Sequence, residues 1–306
     1  MVLRLQSQVM PAETRKLSFL QFDVFTSSPL EGNQLAVFPD GRGLSDEVMQ
    51  SLAREMNLSE TTFIVPRDAA TERDQGVRVR IFTVAEELPF AGHPTLGTAF
   101  AIRGSTDVPE VSLHLNVGKI RVRFEVEAGK PTFGEMTQQD PAFGPIHDRE
   151  AVVRAVGLRD GDVDPSLPVQ TVSTGVPFTV VPLRGLEVMR RLTVDMKAST
   201  EYLERSGGKF FYFVTRETVD LKARLHARML FYNGEDPATG SAAGCASAWM
   251  VMHKVAQPDE RVMIEQGIEM RRPSRIFVRA ARKDDGVVNV RVGGNVVEVL
   301  RGEVSL

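Results

Sequence analysis

The chain has 306 residues, 42% of them hydrophobic and 25% charged, with a formal net charge of -3 and a pI near 6.0. This composition predicts a soluble globular protein of one or two domains, with no basic field to draw nucleic acid or an anionic membrane surface. No apolar run approaches the roughly 20 residues that span a bilayer, and the single cysteine, Cys245, excludes an internal disulfide and a cysteine-built metal site.

In chain order, residues 1–16 read as an N-terminal extension; Arg4, Gln6 and Gln8 interrupt any signal-peptide core, Met10 is an alternative start, and a cytoplasmic location is expected. Leu17–Val24 alternates near period two and predicts a strand, as does Asn33–Phe38 beyond a turn at Ser27–Gly32. Ser45, Asp46 and Glu47 open a helix reaching about Asn57, the serine capping free N–H groups and the acids suiting the dipole. Thr61–Val65 and Val77–Thr83 predict strands, Leu96–Arg103 a buried helix of small residues, and Val111–Asn116 with Lys119–Val126 a hairpin.

The second half repeats the first. AGHPTLGTAFA at 91–101 aligns with GEDPATGSAAG at 234–244, placing His93 on Asp236, Pro94 on Pro237, Gly97 on Gly240 and Thr98 on Ser241. The offset of 143 residues (236 − 93) also lays Gly32–Val37 over Gly175–Val180. The helix at 45–57 finds a counterpart near 186–206, Thr61–Val65 in Phe210–Val214, helix 96–103 in Ser241–His253, and Lys119–Val126 in Ser274–Ala280. The fold expected is α+β: two pseudo-symmetric domains, each a barrel-like, mostly antiparallel sheet around a central helix. The link falls near the turn-rich Gly134–Pro145.

Each repeated loop runs Pro-x-x-Gly-[Ser/Thr]-Ala into a helix. Proline presets the first turn, glycine bares the backbone, and the hydroxyls of Thr98 and Ser241 stand beside unpaired N–H groups. Two such starts facing one cleft would hold a small anionic metabolite. The structural alternative is that small residues simply let a helix pass through a crowded core. The leading residues differ: His93 titrates near neutrality and suits proton transfer, while Asp236 can orient or share a proton. Glu60 follows the predicted helix and leads a β-branched strand; on pattern alone it reads more readily as a surface carboxylate. His114, His147, His226 and His253 have no such context. Phosphate-loop, H-E-x-x-H, G-x-G-x-x-G and G-x-S-x-G motifs are absent, and Arg271–Arg275 reads as a solvated strand edge.

Four blocks, FDVFTSSPLEGNQLAVFPDGRGLSDEVMQSLAREMNLSETTFIVP, RIFTVAEELPFAGHPTLGTAF, NGEDPATGSAAGCASAWM and QGIEMRRPSRIFV, together resemble the PhzF-like (phenazine biosynthesis protein F) family from about Leu17 to the end. That family shares the diaminopimelate epimerase fold. The resemblance implies a first domain of residues 17–134 completed by about 296–306, a second of 135–295, and a homodimer with its site in the interdomain cleft. It also implies an isomerase that moves a proton on a small carboxylate-bearing metabolite without metal or organic cofactor. Glu60 would be the acid/base with a pKa raised by burial, His93 and Asp236 would assist, and Ser59, Gly92, Gly97, Thr98, Gly240 and Ser241 would contact substrate. Racemases of this fold use a cysteine on each loop; here Cys245 lies inside the helix, which argues against two-cysteine chemistry. Gln34 and Val84-Ala85-Glu86 replace prolines common in relatives near the cleft mouth. A non-catalytic metabolite-binding protein using the same cleft is the alternative, which the set Glu60, His93 and Asp236 disfavours.

Overall fold

The computed structural model describes residues 15–128, 132–231 and 234–306. The first half carries β1 (Lys16–Val24), β2 (Asn33–Phe38), α1 (Asp46–Met56), β3 (Glu60–Ile64), α2 (Ala69–Gln75), β4 (Val77–Phe82) and β5 (Glu87–Leu88). It continues with α3 (Gly92–Arg103), β6 (Glu110–Leu115), β7 (Gly118–Glu125), β8 (Phe133–Thr137) and β9 (Ala142–Ile146). The second half opens with α4 (Arg149–Val156), β10 (Gln170–Ser173), β11 (Pro177–Pro182), α5 (Leu186–Arg190), α6 (Met196–Ser206), β12 (Phe210–Thr215) and β13 (Ala223–Phe231). It ends with β14 (Gly234–Asp236), α7 (Gly240–Met252), β15 (Val262–Gln266), β16 (Ser274–Lys283) and β17 (Gly286–Ser305).

The pairings repeat almost one for one. β1 with β2 is antiparallel, β2 with β3 parallel and β3 with β4 antiparallel; β10 with β11, β11 with β12 and β12 with β13 follow the same sequence. The parallel step β4–β6 then has its mate in β13–β15. Each half is thus a mostly antiparallel sheet wrapped on one helix, α3 or α7. Neither helix is amphipathic: α7 is buried at every position but Ser241 and Met252, as a helix enclosed on all sides must be.

Three expectations change. α3 begins four residues earlier than Leu96, because Pro94 falls in its first turn, where a missing N–H costs no helical bond. The segment 134–145 is no loop: β8 pairs with β7 and β17, and β9 crosses to pair with β10. The helix expected near 186–206 is two, α5 and α6, parted at Leu192–Asp195. The long β17 pairs first with β16 and β8, then runs from Val296 to Ser305 antiparallel along β1. Of the N-terminal extension, residues 1–14, Met10 included, lie outside the described residues, while Arg15 bonds the backbone of Leu306 in both directions.

Candidate active site

A cavity of about 470 Å³ opens between the halves. The first half supplies Asn57–Glu60, the turn Thr83–Glu86 and Leu88–Ala91; the second supplies Val176, Phe178, Lys209, Phe210, Met229, Phe231, Glu235, Asp236, Thr239 and Ser241.

Glu60 is placed by the parallel register of β3 on β2, where it lies beside Leu35 at the strand end facing the cavity. Its Oε2 is buried without a hydrogen-bond partner and stands 3.4 Å from His93 Nε2, which is likewise buried and unpartnered. Burial, reinforced by the charge of Asp236, pushes the Glu60 carboxyl well above the usual carboxylate range. Burial lowers His93 to about 3, so its imidazole is neutral. Burial also raises Asp236 to about 6, against hydrogen bonds from Thr239, Asn33 and Ser59 that favour its charged form.

Asp236 is the best-held of the three. Its Oδ2 accepts from Thr239 Oγ1 at 2.7 Å; its Oδ1 accepts from Asn33 Nδ2 at 2.7 Å and, at 3.4 Å, from Ser59 Oγ. Behind it, Gln266 Nε2 donates to the Asp236 carbonyl and to Thr239 Oγ1, while Gln266 Oε1 accepts from the Tyr212 hydroxyl. Asn33 also lies 3.1 Å from His93 Nδ1 and donates to the Ala238 carbonyl. One amide from β2 therefore ties His93 of the first half to Asp236 of the second. The motif reading missed Asn33, although a signal existed: the repeat sets it against apolar Val176.

The helix starts do not flank an open gap as twin cradles. A Cβ on Gly92 would lie 2.8 Å from the Cα of Gly240 and from the amide nitrogen of Ser241, so the two starts meet backbone to backbone. Glycine at both positions permits that approach. Gly240 is packed under the Phe25 ring, and Gly97 sits beneath Leu35 and Val24. Thr98 is buried with its hydroxyl 2.8 Å from that of Thr62. Gly97, Thr98 and Gly240 thus stand in helix packing and not on the cavity wall, which the starts reach through Ala91, Thr239 and Ser241.

Two further features were not legible. Arg80 grips Glu87, and Arg228 grips Glu235, each through paired hydrogen bonds across a spacing of seven residues. These matching clamps fix the short strands β5 and β14 that lead toward the helix starts. Arg272 is no solvated edge: it donates to Asp23 at 2.7 Å and to the carbonyls of Glu31 and Gly32, binding the second half to the β1–β2 turn. Cys245 is buried, and burial pushes its thiol up to about 11, so it is a core residue. No cluster of three or more potential metal ligands and no helix long and apolar enough to cross a membrane occurs among the described residues.

The family described as phenazine biosynthesis-like protein matches residues 22–302. An uncharacterized isomerase of Mesorhizobium japonicum is 36% identical, the match covering 94% of this chain and 99% of that one. The trans-2,3-dihydro-3-hydroxyanthranilate isomerase of Pseudomonas aeruginosa is 33% identical over 94% of this chain and 99% of its own. A Bacillus anthracis protein of the PhzF family superposes with a TM-score of 0.85 at 26% identity, covering 95% of this chain and 99% of that one.

Proposed function

Given that the chain belongs to the phenazine biosynthesis-like (PhzC–PhzF) family and is an isomerase, we propose that it moves a proton between carbons of a small carboxylate-bearing metabolite in the interdomain cavity. Glu60 is the acid/base, and His93 and Asp236 assist. The observation carrying this reading is the unpartnered, buried Glu60 Oε2 facing the equally unpartnered His93 Nε2. Buried polar atoms are seldom left unpaired; Glu60 lines the cavity, with His93 3.4 Å behind it, so a substrate group entering there can complete the pair.

Protonated by its surroundings, Glu60 donates to one substrate carbon and, as the carboxylate so formed, accepts from another. The proton count and oxidation level are unchanged, so this chemistry calls on no cofactor. Neutral His93 can hydrogen-bond the substrate or the Glu60 carboxylate, and Asp236 orients through Asn33, Thr239 and Ser59. Ser59 and Ser241 are on the wall to meet substrate polar groups, and the bare Cα of Gly92 leaves room for the Ser241 backbone. We also read the chain as a cytoplasmic homodimer, which light scattering on the purified protein would check for assembly.

Trans-2,3-dihydro-3-hydroxyanthranilate, the compound named for the Pseudomonas relative, is the first substrate to try. Incubation in deuterated water should give an isomer carrying one carbon-bound deuterium by mass spectrometry and NMR. If that compound and a panel of related unsaturated cyclic acids all stay unlabelled, the reading fails.

A further inference from the structure

Resting on the proton-transfer reading, we propose that Lys209 is the side chain that recognises the acidic group of the substrate, whose apolar body packs on Phe210. Leu35 and Phe178 are equivalent in the sequence repeat, and their strand neighbours are Glu60 and Phe210. A second register agrees: Phe63 pairs with Arg80 and Phe213 with Arg228, the two clamp arginines. Both put Phe210 in the place of Glu60 and Lys209 in the place of Ser59, one residue off the sequence alignment of Thr61 with Phe210. All four residues line the one cavity. The pseudo-symmetry is therefore broken at the reacting centre, with the acid/base on one wall and a cation beside an aromatic ring on the other.

The charges on the wall point the same way. Among the described residues, its acidic side chains are Glu60, held protonated, with Glu86, Glu235 and Asp236. Glu235 is taken by Arg228, and Asp236 by Asn33, Ser59 and Thr239. Among the described residues, Lys209 is the only basic one lining the cavity, and it has no acidic partner. Its Nζ lies 5.6 Å from the centre of the Phe210 ring, and its backbone is pinned by a bond from its N–H to the Pro177 carbonyl. An acid entering a cavity that already holds Glu86 and Asp236 gains from a cation beside it, and Lys209 is placed to supply one.

Binding of an inert pair, benzoate and its neutral isostere benzamide, separates charge from shape. Titration calorimetry on wild type should show benzoate bound about tenfold tighter, the worth of one charge-assisted contact. Lys209→Met should bring the two ligands level, and Lys209→Arg should restore the preference. Glu60→Gln should keep the preference while losing deuterium exchange, so failure of this proposal is distinguishable from failure of the proton-transfer reading. A benzoate preference that survives Lys209→Met, no preference in wild type, or binding of neither ligand would overturn the assignment.

Discussion

Glu60 and Asp236 are two buried carboxyls pressed toward their protonated forms, and each makes a quantitative prediction. Asp236 is proposed to work as a carboxylate with a pKa of about 6, so kcat/KM should fall as pH drops through that value. Asn33→Ala removes a hydrogen bond to the charged form and should move this acidic limb to higher pH by about one unit, the scale of one charge-assisted bond. A pH–rate profile checks both statements. For Glu60 the folded pKa lies above the unfolded value, so its contribution to stability is fully present below the unfolded pKa and is lost as pH rises. Glu60→Gln should therefore gain about 1–2 kcal/mol over wild type at pH 8, and less at pH 5, in urea denaturation. Equal stability at both values would show that the carboxyl is not strained toward its neutral form.

At the scale of elements, the strand β13 carries a buried charge network behind the site. His226, fully buried, faces Glu265 at 2.8 Å and Glu269 at 3.1 Å. Burial alone would lower its pKa, but its bonds to the two glutamates outweigh that and raise it to about 9. The stability this gives is fully present below an unfolded pKa of about 6.5, and is lost as pH rises through about 9. Wild-type unfolding free energy should fall over that window, and the fall should vanish in His226→Gln. That variant should also lose about 3–5 kcal/mol at pH 6, because it strands two buried carboxylates. The helix starts allow a second test. Gly92→Ala would drive a methyl into the backbone of Gly240 and Ser241. Overpacking of this kind costs about 1–3 kcal/mol, and the displaced Ser241 should lower kcat/KM at least about tenfold, the cost of one misplaced positioning contact. Chemical denaturation and steady-state kinetics read the two effects.

Most strands and the two central helices were legible because hydrophobic period and small-residue content act locally. The start of α3 was not, since a proline reads as loop whether it stands before a helix or in its first turn. Segment 134–145 read as a linker from its prolines and glycines, yet its strands exist only because β7, β10 and β17 supply partners. Arg272 and Gln266 show the same limit, since their partners lie elsewhere in the chain and only folding brings them together.

Over the whole molecule, two copies of one unit share a cavity and have diverged where they meet. His93 answers Asp236 by sequence, while Glu60 answers Phe210 and Ser59 answers Lys209 by strand register. Asn33, the tie between the two sides, could have been found by asking where the repeat replaces a polar residue with an apolar one. Glu60 needed the fold, because its burial against His93 depends on both halves closing around it. A symmetric site would bind a symmetric ligand. This one presents its acid/base from the first half only and so should deliver a proton to a single face of the substrate. The decisive measurement is the rate of carbon-bound deuterium incorporation into trans-2,3-dihydro-3-hydroxyanthranilate, or whichever cyclic acid proves reactive, by wild type and Glu60→Gln at pH 7. The account predicts deuterium on one face with wild type and a loss of about 10²–10⁴-fold with the variant; equal rates, or labelling of both faces, would contradict it.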